Sequence, residues 1–161
     1  GNELHGTVSG ATDENTAGAP VISENHPAFL AHPASNQDDI AVGSWVPIVL
    51  GTERFDQGSN FASNTFTAPV TGKYQLNVVV RMNAADSASA YYQVRLVTSN
   101  YTYYSIIDPD FGQDAAYWNI CLPVLADMDV SDTAAISIYQ SGGTQQTDIH
   151  TETTFSGYLV C

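Results

Sequence analysis

Basic residues are scarce in this sequence, and their scarcity argues against two classes of partner. Only 4 of the 161 residues are Lys or Arg, against 17 Asp or Glu, so the formal net charge is −13. Nucleic-acid binding depends on Lys and Arg to neutralise phosphates, and anionic membrane surfaces attract the same side chains. We therefore expect neither a nucleic-acid nor a membrane-surface partner, whereas the acidity permits divalent cations.

Long apolar runs and cysteine clusters are also missing. No stretch approaches the ~20 consecutive apolar residues of a transmembrane helix, so no membrane insertion is expected. The two cysteines, Cys121 and Cys161, lie far apart and form no CxxC pair. They do not make a disulfide framework, which leaves two interpretations open. Either Cys121 is a buried thiol and Cys161 a free terminal one, or the two form a single disulfide.

No catalytic motif is present. The sequence contains no HExxH, no nucleophile elbow and no glycine-rich phosphate loop. Catalysis needs a nucleophile, a base and an orienting group within reach of one another, and no spacing here suggests such a set. We predict that the protein is not an enzyme. The histidines are scattered, at His5, His26, His32 and His150.

The helical period of 3.6 is absent, and a period of two replaces it. Residues 74–82 alternate apolar with mostly polar side chains, which is typical of a half-buried strand. Pro47 cannot donate to a ladder, so the strand around it is predicted at an edge or a bulge. Between 51 and 64 we expect a loop with a small strand piece at Phe61. Further strands are predicted at 28–31, 45–50, 90–97, 101–107, 117–126, 133–140 and 155–160.

The chain divides near residue 25. Residues 1–25 are rich in Gly, Ala, Thr, Ser and Asn with little periodicity, which predicts a linker or the end of a fibrous shaft or neck. Residues 26–161 predict one all-β domain, an antiparallel sandwich or jelly roll, because many short strands alternate with Gly, Pro, Asn and Asp turns.

Several motifs in this domain resemble the C1q-like domain of the complement C1q–tumour necrosis factor superfamily, over residues 27–160. The most specific are Phe-Thr-Ala-Pro followed by Gly-Lys-Tyr, and the closing Phe-Ser-Gly-Tyr-Leu. Met128 departs from the family, which usually has Gly before the following Asp, and residues 1–25 contain no collagen-like repeat. The family scaffold positions are Phe55, Phe66, Pro69, Gly72, Tyr74, Phe155, Gly157 and Tyr158.

The resemblance implies a ten-strand jelly roll that assembles as a compact homotrimer. The residues agree, because Val79, Tyr158 and Val160 fall on the strand face opposite the core, as in an oligomer interface. Such heads without collagen repeats resemble phage and bacterial surface proteins. We therefore expect a virion-surface or extracellular location.

Three functions follow from that location. The first is attachment to a host-surface glycan or protein receptor by the head of a phage fibre or capsid protein. The alternative is a purely structural component, a capsid decoration or fibre cap that contacts only other virion proteins. A secreted ligand of a cell-surface receptor is a third reading.

Two sets of candidate site residues remain. Asp108, Asp110, Asp114 and Asp129 supply oxygen ligands for a hard cation. The resemblance adds that such domains often hold Ca²⁺ near the trimer apex, and a solvated acidic surface stays open as the alternative. Tyrosine and tryptophan give large, stiff contact surfaces with hydrogen-bonding tips. The binding candidates are Tyr91, Tyr101, Tyr103 and Trp118.

Overall fold

The computed structural model describes residues 26–161; the predicted linker or shaft at 1–25 lies outside the described residues. Twelve strands and no helix occur in this part of the chain, and ten of the strands are three residues or longer. In chain order they are β1 (Ala28–His32), β2 (Trp45–Pro47), β3 (Thr52–Gln57), β4 (Phe61–Ala62), β5 (Thr65–Thr67), β6 (Gly72–Ala85), β7 (Tyr91–Thr98), β8 (Thr102–Ile107), β9 (Ala115–Met128), β10 (Thr133–Ser141), β11 (Asp148–Ile149) and β12 (Thr154–Leu159).

The strands form two six-stranded antiparallel sheets. In sheet A, β6 pairs with β9 on one side and with β12 and β11 on the other, and β1 and β3 follow β12. In sheet B, β10 pairs with β7 on one side and with β5 and β2 on the other. The edge strands of sheet B are β8 on one side and β4 and β2 on the other. The predicted all-β antiparallel sandwich is confirmed.

The core fills the space between the sheets and follows the predicted alternation. β6 turns Tyr74, Leu76 and Val78 inward, and β7 turns Tyr92, Val94 and Leu96 inward from the opposite sheet. At the centre Phe29 stacks on Phe66 at 4.6 Å and meets Phe155 edge-on at 5.0 Å between ring centroids. Each large side chain buried in this way contributes about 1.5–3 kcal/mol.

Six of the eight scaffold positions are buried, half-buried or closely packed in the sandwich. Phe66, Tyr74 and Phe155 are fully buried, and a Cβ at Gly157 would lie 2.5 Å from the Leu76 side chain. A Cβ at Gly72 would lie 2.6 Å from the Leu159 side chain, and Pro69 is half-buried. Phe55 and Tyr158 point away from the core and are about half exposed, which for Tyr158 is the outward position expected from the sequence.

Three further predictions need correction or refinement. The strand predicted at 45–50 ends at Pro47, which pairs only with Ser137 of β10 and so lies at an edge, as expected. Residues 52–57, predicted as loop, form the six-residue edge strand β3. Cys121 is exposed, so its interpretation as a buried thiol is wrong. Both Cys121 and Cys161 are free thiols, and neither is in a disulfide.

The sandwich has two distinct ends. Pairing of β6 with β9 runs from Gly72–Met128 to Ala85–Ala115, so these 14-residue strands span roughly 40 Å. We call the end that holds Gly72 the proximal end; there the Lys73 amide donates to the Cys161 carbonyl at 2.8 Å. At the distal end lie the loops 86–90, 108–114 and 142–147.

Candidate functional site

The four predicted binding aromatics do not form one site. Tyr101 and Tyr103 meet edge-on at the proximal tip of the β7–β8 hairpin, with ring centroids 5.0 Å apart. Tyr101 is 65% exposed, whereas Tyr103 packs against the core. Trp118 lies at the distal end, and Tyr91 lies on the outer face of sheet B. Two separate aromatic surfaces therefore need description.

The first surface is a row of rings on the outer face of sheet B, which we call the aromatic row: Tyr91, Tyr139, Trp45 and Tyr104. Tyr139 joins its neighbours because β10 lies between β7 and β2, where it is paired directly with Trp45. Successive ring centroids are 5.9, 5.4 and 6.2 Å apart. Four rings from four strands thus form one continuous surface.

Arg95 is the charged group of this face. Its guanidinium lies over the Trp45 ring, 4.1 Å from the centroid, and its strand neighbours are Tyr104 and Ser137. Its Nε is buried without a hydrogen-bond partner, and within residues 26–161 it has no ion pair. The six strands of sheet B contain no other charged residue and no histidine.

The sequence prediction included Tyr91 but missed Trp45, Arg95 and Tyr139. These residues lie far apart in the chain, and only the pairing of β10 with β2 on one side and with β7 on the other brings them together. Period-two alternation predicts that Tyr91 and Arg95 share a face of their strand. Nothing in the sequence gives the register with β2.

The second surface is at the distal end around Trp118, which is 40% exposed and stacks on Phe111 at 4.5 Å. Arg81 lies over the Tyr117 ring at 5.0 Å and forms an ion pair with Glu152. An open hollow of about 460 Å³ is lined by Arg81, Tyr117, Trp118 and Asn119. A neighbouring hollow of about 610 Å³ is lined by residues 111–118.

Two carboxylates organise the distal loops. Asp114 accepts hydrogen bonds from the Ser87 amide at 2.9 Å, the Ser87 hydroxyl at 2.8 Å and the Gln146 amide at 2.9 Å. The Ser87 backbone bond first, and then the Gln146 and Ser87 side-chain bonds, hold the pKa of Asp114 below its usual range. Buried Asp86 accepts from the Ala88 and Thr144 amides. These bonds tie loop 86–90 to loops 108–114 and 142–147.

The four predicted calcium ligands lie at opposite ends of the molecule. Asp108, Asp110 and Asp114 belong to the distal loop before β9, whereas Asp129 follows β9 at the proximal end, roughly 40 Å away. Asp129 therefore cannot share an ion with the other three in one chain. Within residues 26–161, no three His, Cys, Asp or Glu side chains group closely enough to hold a metal ion.

The outer face of sheet A carries exposed apolar side chains. Leu125 of β9 and Tyr158 of β12 flank Gln75 of β6 in one cross-strand row. At the proximal edge of this face, Lys73 and Asp127 form an ion pair at 2.5 Å, and this hydrogen bond raises the pKa of Lys73. The exposed apolar residues here, with the half-buried Val79, are Phe55, Cys121, Pro123, Leu125, Tyr158 and Val160.

No family model and no curated protein matches the chain. Among solved structures, the chain is similar to the globular domain of zebrafish complement 1qA protein, with a TM-score of 0.60 and 14% sequence identity. The likeness covers 84% of this chain and 98% of that one. At this identity it concerns the fold, and it confirms the C1q-like jelly roll expected from the motifs. In the described part of the chain, no helix has the length and apolar character to cross a membrane.

Proposed function

We propose that residues 26–161 form the non-enzymatic head of a homotrimeric virion or extracellular surface protein, which attaches to a host receptor or glycan. The observation that carries this proposal is the contrast between the two outer faces of the sandwich. One face offers apolar side chains that a second copy of the chain can cover. The other offers aromatic rings and one cation, Arg95, which has no ion pair within residues 26–161.

Assembly is argued from sheet A. Leu125, Tyr158 and Phe55 are each about half exposed or more, on one face of a domain that already has a complete core. Contiguous exposed apolar side chains typically mark interaction surfaces. A contact between two unlike surfaces of identical chains closes into a ring when the rotation permits, and three copies make the trimer.

Recognition is argued from the aromatic surfaces. Tyrosine and tryptophan rings are enriched in contact sites because they combine apolar area with a hydrogen-bonding tip, which supports a binding role for these surfaces. The aromatic row of sheet B and the distal pair of Phe111 and Trp118 both leave ring surface in solvent.

Calcium binding is part of the proposal only in the assembled trimer. Because one chain does not bring three ligands together, a site at the distal end would need carboxylates from several copies, such as Asp108, Asp110 and Asp114 from each. A threefold axis near these loops would supply the six to eight oxygens that Ca²⁺ prefers. Proximal Asp129 would take no part.

The test is adsorption of the purified, fluorescently labelled trimer to candidate host cells and to a glycan array. Saturable binding to either supports attachment. The structural alternative has one specific observation in its favour, since the apolar face of sheet A is explained by assembly alone. Absence of binding to cells and glycans, with binding to other virion proteins instead, would establish that alternative.

A further inference from the structure

We propose that the outer face of sheet B binds a saccharide that carries a carboxylate. Arg95 holds the carboxylate, and the aromatic row supports the sugar ring. This inference rests on the proposed attachment function and names the ligand class and the surface for it.

The charge distribution favours an anionic group at this face and at few other places. The chain carries a net charge of −13, so most of its surface repels anions. The strands of sheet B contain no carboxylate to oppose a bound anion. Lys73 and Arg81 already have carboxylate partners, Asp127 and Glu152, whereas Arg95 has none within residues 26–161.

The local geometry leaves the donors of Arg95 available. A guanidinium has five N–H donors in its plane, and contact with the ring of Trp45 uses the face of the group, not those donors. The Nε donor is buried, so the two terminal Nη groups, which have no hydrogen-bond partner within residues 26–161, are the donors that a carboxylate meets. A carboxylate matches the guanidinium fork with two parallel hydrogen bonds, which are stronger than bonds between neutral groups.

The remainder of the face fits a sugar better than a peptide. An extended peptide commonly binds by adding to a free strand edge, but Arg95 and Tyr139 lie on β7 and β10, whose backbone groups are already paired on both sides. What the face offers is ring surface, with successive ring centroids 5.4–6.2 Å apart. The negative faces of aromatic rings attract the weakly positive C–H groups of a pyranose. Tyrosine hydroxyls and Gln93 are at hand for the sugar hydroxyls.

The experiment compares carboxylated saccharides with matched neutral ones by calorimetry on the intact trimer. The probes are an oligoglucuronate against the oligoglucose of the same linkage, and 3′-sialyllactose against lactose. We expect at least one acidic probe to bind about tenfold more tightly than its neutral partner, since a charge-assisted bidentate bond is worth that much or more. Affinity should fall as salt rises, because the contact is at the surface.

Variants assign the binding to Arg95. Arg95→Gln should reduce affinity for the acidic probe to that of the neutral one, about tenfold, and Arg95→Lys should restore only part of it because the fork is lost. Arg54→Gln is the matched control, since it removes the same charge from exposed strand β3 of sheet A and should change nothing. Sedimentation and melting curves check that each variant remains a folded trimer.

The outcomes separate this inference from the proposed function. Equal binding of acidic and neutral probes, or unchanged binding by Arg95→Gln, would overturn the role of Arg95. If the trimer adsorbs to host cells but binds none of the four probes, the ligand class is wrong and attachment stands. Adsorption that is lost after protease treatment of the cells but survives enzymatic removal of their acidic glycans would point to a protein receptor, also against this inference. Absence of adsorption together with absence of saccharide binding would reject both.

Discussion

The two outer faces of the sandwich differ although the two inner faces are alike. Inside, both sheets present aliphatic and aromatic side chains at every second position. Outside, the strands of sheet A carry Arg, Lys, Asp and Glu beside exposed apolar residues, whereas those of sheet B carry one charge, Arg95, beside a row of rings. The inward positions are dictated by the common fold, so the outward positions are the ones that indicate what each face does.

The largest effect is expected from a charge placed on the proposed assembly face. Leu125→Arg should convert the trimer to a monomer, because covering an unpaired guanidinium costs several kcal/mol and removes the apolar contact. The sedimentation mass should fall from three chains to one, while circular dichroism keeps its β-sheet spectrum.

Ile106→Arg provides a matched comparison for this change. Ile106 on the outer face of sheet B and Leu125 on that of sheet A are each 58% exposed in the single chain. The Ile106 variant should remain a trimer. If both variants dissociate, or if the wild-type domain sediments as one chain, the assignment of assembly to sheet A fails.

The next largest effect is expected from Ca²⁺ on the melting temperature. It tests whether a calcium site forms only when the chains assemble. A ligand at about 100 times its Kd stabilises the folded state by about 2.7 kcal/mol, or roughly 5–10 °C for a domain of this size. We expect the trimer to melt higher in Ca²⁺ than in EDTA and the monomeric Leu125→Arg variant to show no difference. Identical melting curves of the trimer in both buffers would remove the calcium proposal.

The inside of sheet B can be compared with its outside through two tyrosines. Buried Tyr92 bonds through its hydroxyl to the Asp86 amide at 2.8 Å and to the Thr147 hydroxyl at 2.6 Å. Tyr92→Phe leaves those groups without this partner and should cost about 1–3 kcal/mol of unfolding free energy. Tyr104→Phe, on the exposed face, should cost almost nothing. Chemical denaturation of the two variants measures the difference, and equal stabilities would contradict the buried network.

Sequence reasoning predicted the inside of this molecule better than its outside. The alternation in β6 gives the inward positions from 74 to 82 correctly because burial of one strand face is a local property. Strand β3 was missed because it is an edge strand exposed on nearly every side chain, and thus has no alternation to read. Phe55 carries the family motif yet faces outward, because a motif identifies a fold without stating which residues it buries, whereas the outward position of Tyr158 was expected from the sequence.

The candidate sites depend on the register between paired strands, which cannot be derived from a single sequence. Arg95 reaches Trp45 only because β10 lies between their strands, and no spacing along the chain reports this. The length of β9 likewise separates Asp129 from Asp108, a separation that follows only once the strand is known to run unbroken to Met128. Residue types were therefore predictable, whereas their grouping was not.

The smallest effect concerns Asp114, in the connection between β8 of sheet B and β9 of sheet A. Hydrogen bonds from Ser87 and Gln146 lower its pKa in the folded state, so its contribution to stability is present above the unfolded pKa, about 3.9, and is lost as the pH falls through the folded pKa. Asp114→Asn should melt lower than the wild type by a constant margin at neutral pH, and the margin should shrink below about pH 4. If the difference in melting temperature between the two proteins stays the same below about pH 4, the charge of Asp114 adds nothing to these hydrogen bonds. Trimer mass and saccharide affinity should not change, because this loop joins the two faces without belonging to either.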